Sequence, residues 1–355
     1  MQRVLFEIPG TPFKLHGFGL MLGVAFFAAI FLADWRARRS KLNPDWIYDL
    51  AFWVLVGSLT GARGLYVWQY WGKSIHDWRE VFAIWEGGIV LYGGVLGGLA
   101  AGLFRAYRLK IPILATCDAI APSIALGLAI GRIGCFLNGC CYGDPCQLPW
   151  AVSFPNESSP WYQQVREGLT IFPATTARPP WTHYLATLDE SGNIDRLFRD
   201  TQSRADAPAP PRTERRAFED PATKELTELD TRVLTISARS LPVHPTQLYS
   251  SIDGLILLAL LSAYYPLRRR DGEVAALLLL TYPVTRFLIE QLRGDEGSFL
   301  LGMTISQVVS LAMGVVGLCF WAFLRSHPQP LYAETAAETE TPASAADAVT
   351  AQASG

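Results

Sequence analysis

Apolar stretches long enough to cross a membrane recur along the chain, separated by polar, basic or glycine-rich connections. A helix of about 20 mostly apolar residues crosses the ~30 Å hydrocarbon core of a bilayer. Seven stretches approach this length, at residues 18–33, 47–68, 87–107, 111–136, 248–266, 274–292 and 303–324. Glycines and polar residues interrupt the second and the third of them. The pattern predicts an all-α fold, a polytopic membrane helix bundle of about seven transmembrane helices.

Lysines and arginines predict how this bundle is oriented. They follow the first, third, fifth and seventh apolar stretches, at Arg36, Arg38, Arg39, Lys41, Arg105, Arg108, Lys110, Arg268, Arg269, Arg270 and Arg325. The other connections are poorer in basic residues. Because cytoplasmic loops carry an excess of lysine and arginine, we expect the N-terminus outside and the C-terminus in the cytoplasm.

The same pattern divides the chain into four segments. Residues 1–150 hold the first four predicted helices, and residues 244–326 hold the last three. Residues 151–243 lack a spanning stretch and are predicted to form an extracytoplasmic insertion, whose middle, around residues 199–228, is rich in charge, alanine and proline and is expected to be flexible. Residues 327–355 consist largely of alanine, glutamate, threonine and serine, which predicts a disordered cytoplasmic tail.

Composition agrees with a membrane protein and argues against one class of partner. The chain of 355 residues is 50% hydrophobic and only 17% charged, which is unusual for a soluble globular protein. Its formal net charge of −2 does not suit a nucleic-acid partner, which would require a basic excess. A basic cluster, rather than a small-residue cleavage site, follows the first apolar stretch, so we expect that stretch to remain as an anchor.

Residues 131–143 concentrate the candidate chemistry, with the sequence Gly-Arg-Ile-Gly-Cys-Phe-Leu-Asn-Gly-Cys-Cys-Tyr-Gly. Arg132 lies at the end of the fourth apolar stretch, where a guanidinium costs roughly 3 to more than 10 kcal/mol in hydrocarbon and therefore favours a polar cavity or an anion. Four glycines permit turns or close approach of another backbone or a ligand: Gly131, Gly134, Gly139 and Gly143. Tight helix packing is the alternative explanation, but Arg132 and Asn138 together favour a binding site.

A second candidate pair lies in the sixth apolar stretch. Arg286 and Glu290 are four residues apart and share one face of a helix, with Arg293 near that face. An intrahelical ion pair that shields both charges in the bilayer explains this spacing. An anion site in which Glu290 orients a guanidinium explains it equally well.

Two further motifs offer polar groups near the predicted helix ends. Tyr92 lies among closely spaced glycines between residues 87 and 98, a pattern typical of tight helix contact or of a discontinuous helix. His244 and Pro245 directly precede the fifth stretch. Pro245 suits the first turn of a helix, and His244 is either part of that entry or an imidazole that titrates near neutral pH at the mouth of a site.

Four of the six cysteines cluster at the end of the fourth stretch, namely Cys135, Cys140, Cys141 and Cys146. Paired Cys-x-x-Cys spacing is absent, so the sequence predicts no metal site. An oxidising exterior would permit one disulfide, although buried cysteines also act as small apolar residues.

Together these motifs resemble the prolipoprotein diacylglyceryl transferase family, over nearly all of residues 12–326 apart from an insertion at about 155–235. The matches are Gly131, Arg132, Gly134, Phe136, Asn138, Gly139, Gly143, residues 15–21, 61–66 and 244–249, and Arg286 with Glu290. The departures fall on the chemistry. Tyr92 stands where the family usually has histidine, Cys135 where it has asparagine, Cys140 where it has glutamate, and Phe18 where it has tyrosine.

The resemblance implies transfer of a diacylglyceryl group from phosphatidylglycerol to the lipobox cysteine of a lipoprotein precursor. It further implies a multi-pass protein of the bacterial plasma (inner) membrane, with membrane lipid and precursor signal peptides as partners and no cofactor. Arg132 and Arg286 would neutralise the departing phosphate. Without the family's histidine, the base would be His244, which we favour, or His16, or Tyr92 acting as a relay.

The remaining matched positions would bind substrate. Asn138, Tyr66 and Tyr249 would donate hydrogen bonds to it, and Glu290 would hold Arg286 in place. Gly134, Gly139 and Gly143 would let it approach the backbone. Two other functions fit the same residues: a homologue that binds anionic lipid or signal peptides without catalysis, and an anion transporter.

Overall fold

A computed structural model describes most of the chain. The described residues are 4–7, 14–72, 78, 80–82, 88, 90–156, 158–167, 169, 171–172, 181–188, 194–199, 214–219, 226–237, 239–294, 299–327 and 331–332. The predicted disordered tail lies almost wholly outside them, as does part of the glycine-rich segment that precedes Tyr92.

Long helices occupy all seven predicted positions. The α-helices are α1 Gly17–Arg39, α2 Asp45–Tyr70, α3 Leu91–Arg108, α4 Ile113–Asn138, the short α5 Ser159–Arg166, α6 Thr246–Tyr264, α7 Glu273–Glu290 and α8 Ile305–Ser326. Five segments are long and apolar enough to cross a membrane: α1, α2, α4, α8 and α6 with its 3-10 extension to Leu267. The structure therefore confirms a helical membrane protein.

The structure also contains β-strands, which the all-α prediction did not include. Strand β1 (Val4–Glu7) pairs antiparallel with β2 (Lys14–His16). A five-stranded antiparallel sheet follows α5, formed by β3 Ile171–Phe172, β4 Trp181–Leu188, β5 Ile194–Arg199, β6 Glu214–Glu219 and β7 Leu226–Ser237. Its order is β3-β7-β4-β5, and β6 also pairs with β7. The insertion is therefore built around a sheet rather than a loop, and β6 lies within the segment that was expected to be flexible.

The chain divides into two compact units. Unit 1 comprises Met1–Leu22, Gly131–Ser251 and Leu288–Gln307, and unit 2 comprises Gly23–Ile130, Ile252–Phe287 and Val308–Gly355. The candidate residues are shared between them. Arg132, His244 and the cysteine-rich stretch belong to unit 1, whereas Arg286 and Tyr92 belong to unit 2.

Small side chains allow close helix packing in unit 2. Glycines lie where α2 and α3 face each other, and a Cβ on Gly61 would clash with the backbone carbonyl oxygen of Gly93. Glycine at these positions therefore lets the two backbones touch, as in membrane helix pairs generally. A buried cluster of the same unit packs α4, α6 and α7 through Ala121, Ala125, Leu257, Leu261, Val274 and Leu278.

Unit 2 also contains a buried carboxylate that caps the N-terminus of a helix. Asp118 of α4 is fully buried, and its two oxygens accept hydrogen bonds from the backbone N–H groups of Gly272 at 2.8 Å and Ala275 at 2.9 Å. These N–H groups lie at the start of α7 and have no partner within the helix, so the carboxylate satisfies them. Arg268 lies 3.5 Å from the same carboxylate.

Candidate active site

Three segments of unit 1 meet through backbone hydrogen bonds. They are residues 139–146 after α4, residues 239–246 before α6, and residues 290–294 at the end of α7. Gly143 N donates to His244 O at 3.0 Å, and His244 N donates to Asp144 O at 3.0 Å. Asp144 N donates to Leu292 O at 2.9 Å. These bonds hold the three segments together, and residues 139–146, 239–246 and 290–294 are called the platform below.

Glycine is required at position 143 of this platform. A Cβ there would lie 2.5 Å from Leu292 O, 2.6 Å from the Cβ of His244 and 2.9 Å from a methyl carbon of Thr246. Leu292 O is backbone and the Cβ of His244 is bonded directly to it, so these two neighbours have little freedom to move away. The close approach at Gly143 is thus made by other segments of the protein, and its part in substrate binding stays a prediction.

Helix α4 ends in a Schellman motif at Gly139. Gly139 has a φ of +73°, Gly139 N donates to Phe136 O at 3.2 Å, and Cys140 N donates to Cys135 O at 3.2 Å. In this motif the residues at the positions of Cys135 and Cys140 normally contact each other through apolar side chains. Here both of those residues are cysteines, so the helix end itself brings two thiols together.

A third thiol joins this pair. The sulfur atoms of Cys135, Cys140 and Cys141 all lie within 4.8 Å of one another, a spacing suited to a metal ion. All six cysteines are free thiols, so the disulfide that the sequence allowed is not formed. Hydrogen bonds from the thiols of Cys135 and Cys141 hold the pKa of the Cys140 thiol well below its usual range, and Asn138 contributes a further bond. The cluster therefore favours a thiolate.

The first turn of α6 holds the cysteine turn in place. Thr246 Oγ1 donates to Cys141 O at 2.7 Å, and Gln247 Nε2 donates to Cys140 O at 2.8 Å. Both side chains are buried. Gln247 Oε1 is buried too, and among the described residues it has no hydrogen-bond partner.

His244 lies on the same platform and contacts a second predicted residue. Its Nδ1 is 3.4 Å from the hydroxyl oxygen of Tyr249, and the two rings meet edge to face with centroids 6.2 Å apart. Trp150 Nε1 donates to the Tyr249 hydroxyl at 2.8 Å. Because Trp150 fixes the hydroxyl, Tyr249 can orient the imidazole.

Glu290 is buried, with ionic and neutral partners in unit 1. Its Oε2 lies 3.3 Å from Arg293 Nη1, and its Oε1 accepts a hydrogen bond from the Thr304 hydroxyl at 3.1 Å. Thr304 also begins α8 in a capping box with Gln307, whose Oε1 accepts from Thr304 N at 2.9 Å. The role predicted for Glu290, holding Arg286, stays a prediction.

The other predicted residues of unit 1 lie on or beside α1 and α4. Arg132 is half-buried within the last two turns of α4, three residues before Cys135 and therefore on the same side of the helix. Asn138 is the last residue of α4. Gly134 is buried, and a Cβ there would lie 3.0 Å from the Cβ of Met21. His16 is exposed and directly precedes α1.

Unit 2 holds the remaining three predicted residues and one that the sequence analysis missed. Arg286 is half-buried on α7, and Tyr92, near the start of α3, is 43% exposed. Arg63 of α2 is buried and donates from Nε to Val81 O and from Nη1 to Gly88 O, both at 2.9 Å. Its guanidinium lies 5.2 Å from the ring centre of Tyr66. Arg63 thus fixes the segment before α3, and an arginine inside an apolar stretch was the signal for it.

The family model described as Prolipoprotein diacylglyceryl transferase matches residues 3–323. The chain belongs to the prolipoprotein diacylglyceryl transferase family. This confirms the resemblance drawn from the motifs.

Three relatives match the chain over most of its length and bear the name phosphatidylglycerol–prolipoprotein diacylglyceryl transferase. The protein from Nostoc sp. is 29% identical over 351 residues, covering 94% of this chain and 97% of the relative. The protein from Rhodopirellula baltica is 31% identical over 344 residues, covering 84% and 70%. The protein from Clostridium tetani is 28% identical over 318 residues, covering 90% and 96%.

Proposed function

We propose that this prolipoprotein diacylglyceryl transferase family member transfers a diacylglyceryl group from phosphatidylglycerol to the lipobox cysteine thiol of a lipoprotein precursor. The products are a thioether-linked lipid on the cysteine and glycerol phosphate. The observation that carries the proposal is the family match over residues 3–323, which includes the arginine and histidine motifs. The names of the relatives support the choice of phosphatidylglycerol and prolipoprotein as substrates.

In the proposed reaction the thiolate sulfur attacks the terminal glycerol carbon of the lipid. A C–S bond forms while the C–O bond to phosphate breaks, and the phosphate departs with the electron pair. Arg132 and Arg286 are the proposed partners of this phosphate, because guanidinium groups stabilise developing charge strongly where water is excluded. Asn138, Tyr66 and Tyr249 are proposed to bind the lipid head group or the precursor, and Glu290 is proposed to orient Arg286.

The thiol must lose its proton before the attack, since its unperturbed pKa is about 8.5. Among the protein's own side chains, His244 is the proposed base, and its contact with Tyr249 at 3.4 Å supports a fixed orientation. His16 and Tyr92 are the other candidates.

We also propose that all seven long helices cross the bacterial inner membrane, with the N-terminus outside and the C-terminus in the cytoplasm. Helices α3 and α7 have 18 residues each and so span about 27 Å, close to the hydrocarbon thickness. The basic residues at the ends of α1, α3 and α8 support this orientation. The lipobox cysteine would then meet the site on the outer side.

The proposal is tested by glycerol phosphate release from phosphatidylglycerol and a lipobox peptide, using purified protein. We expect Arg132→Ala and Arg286→Ala each to lower the rate at least about 100-fold, the typical loss when one group that stabilises transition-state charge is removed. Arg166→Ala is the matched control, because Arg166 is exposed at the end of α5. Wild-type rates in both site variants would contradict the proposed roles.

A binding protein without catalysis is the second candidate, and Tyr92 at the family's usual histidine position is the observation that favours it. It predicts that the wild type binds phosphatidylglycerol vesicles but releases no glycerol phosphate. An anion transporter would instead move anions across liposomes and leave the peptide unmodified.

A further inference from the structure

We infer that Cys135, Cys140 and Cys141 bind a zinc ion, and that the fourth coordination position of this ion receives the cysteine thiol of the lipoprotein precursor. The metal site stands on the geometry of unit 1. The thiol-binding role rests in addition on the proposed function.

The three sulfur atoms are already placed for coordination. They lie within 4.8 Å of one another. In tetrahedral zinc sites with Zn–S bonds of about 2.3 Å, neighbouring sulfurs are about 3.8 Å apart. Small side-chain rotations therefore suffice to close the site, without movement of the backbone.

The backbone that carries these thiols is fixed from two sides. The Schellman motif at Gly139 sets the positions of Cys135 and Cys140 through the 3.2 Å bond between Cys140 N and Cys135 O. Cys141 adopts a left-handed φ of +59°. Its carbonyl, like that of Cys140, accepts a hydrogen bond from a buried side chain of α6. Metal sites depend on such outer contacts, which keep the ligands oriented.

A buried acceptor beside the turn lacks a donor. Gln247 Oε1 is fully buried and has no partner in the described part of the chain, while its Nε2 holds Cys140 O at 2.8 Å. A buried oxygen of this kind normally has a hydrogen-bond partner. A water bound to the metal, in the position that the substrate thiol would take, is a donor of the required type.

Ligand chemistry selects the metal. Thiolates prefer zinc or copper(I) among the available ions. Three protein ligands with one open position are the usual arrangement of a reactive zinc site, whereas structural zinc sites have four protein ligands. Three thiolates around Zn²⁺ leave one net negative charge. Arg132, one helical turn before Cys135, supplies a nearby positive charge.

The zinc site would promote deprotonation of the precursor thiol in a chain that has Tyr92 where the family usually has histidine. The precursor thiol replaces the metal-bound water and passes its proton to the proposed base, His244, because a thiol that coordinates zinc is deprotonated. The bound thiolate then forms the C–S bond as the C–O bond to phosphate breaks. The product thioether dissociates and water returns. Zinc remains Zn²⁺ throughout and no electrons are transferred to or from it.

Metal analysis of the full-length protein tests the site. We expect about one zinc per chain, the stoichiometry of a single Cys₃ site, in the wild type and in Cys146→Ser. We expect that content to fall below about a tenth in Cys135→Ser, Cys140→Ser and Cys141→Ser, since each lacks a ligand. Cys146 is the matched control because it follows α4 but lies outside the cluster. Copper instead of zinc, no metal, or equal zinc in all variants would overturn the inference.

Cobalt(II) substitution tests thiol binding without relying on turnover or on the folding of a variant. The wild-type protein loaded with cobalt should show sulfur-to-cobalt charge-transfer absorption that changes when a lipobox peptide with cysteine is added. The same peptide with serine at that position should leave the spectrum unchanged. An identical response to both peptides would overturn the thiol-binding role.

The transfer assay separates this inference from the proposed function. Full transfer by protein whose zinc has been removed would overturn the zinc role and leave the proposed function intact. A cysteine-specific cobalt response, with no glycerol phosphate released by the zinc-loaded wild type, would contradict the proposed function and support the thiol site.

Discussion

The close contact around Gly143 gives the sharpest test of the platform that carries His244. In Gly143→Ala the new Cβ would lie 2.5 Å from Leu292 O and 2.6 Å from the Cβ of His244. Relief of this overlap must separate the segments and stretch two hydrogen bonds, Gly143 N to His244 O at 3.0 Å and Asp144 N to Leu292 O at 2.9 Å. Overpacking costs about 1–3 kcal/mol and each bond about 1 kcal/mol, so we expect a destabilisation of about 3–5 kcal/mol.

Thermal unfolding of the purified protein in detergent measures this effect, and Gly131→Ala is the control. Both changes add one methyl group to a glycine of the same signature stretch, but a Cβ at Gly131 meets nothing within 4 Å. Alanine also favours the interior of α4 by up to about 1 kcal/mol. We therefore expect a clearly lower melting temperature for Gly143→Ala and an equal or higher one for Gly131→Ala. Equal melting temperatures for both variants would refute the geometry of the platform.

Three further variants test individual contacts. Glu290→Gln should lower stability by about 3–5 kcal/mol, because the buried guanidinium of Arg293, 6% exposed, then lacks the Glu290 carboxylate. Changing Arg293 to methionine as well should restore part of this stability. An unchanged melting temperature in Glu290→Gln would contradict a stabilising ion pair. Tyr249→Phe removes the hydroxyl that contacts His244 and is proposed to bind substrate, so it should lower the transfer rate about 10-fold; an unchanged rate would argue against both roles. Arg63→Lys keeps the charge but loses the fork that reaches the carbonyls of Glu80, Val81 and Gly88, so limited proteolysis before α3 should become faster, and wild-type resistance would contradict this.

Hydrophobic pattern predicted the helices closely. The stretches at residues 47–68 and 111–136 correspond to helices Asp45–Tyr70 and Ile113–Asn138. The sheet of the insertion could not be predicted in the same way. Strand β4 pairs with β7 from Trp181–Ser237 to Thr187–Thr231, so the paired residues are more than 40 positions apart in the chain. Charge, alanine and proline between them suggested a flexible loop, because local composition carries no information on such distant pairing.

In the candidate site, too, contacts that depend on the fold could not be predicted from the sequence. The cysteines were located in the sequence, but the close approach of the sulfur atoms of Cys135, Cys140 and Cys141, all within 4.8 Å of one another, was not predicted. The relevant signal was Gly139, since a glycine that ends a helix brings the residues at positions 135 and 140 into contact. The role assigned to Glu290, holding Arg286, stays a prediction, and its contact with Thr304 at 3.1 Å was not predicted. Thr304 could not be inferred, because only the fold brings the start of α8 beside the end of α7.

Mass spectrometry of a lipobox peptide, incubated with the purified wild-type protein and phosphatidylglycerol, tests the central claim most directly. The account predicts that the peptide gains the mass of one diacylglyceryl group on its cysteine, that the serine version gains none, and that glycerol phosphate appears in equal amount. An unmodified cysteine peptide, with lipid demonstrably bound to the protein, would contradict it.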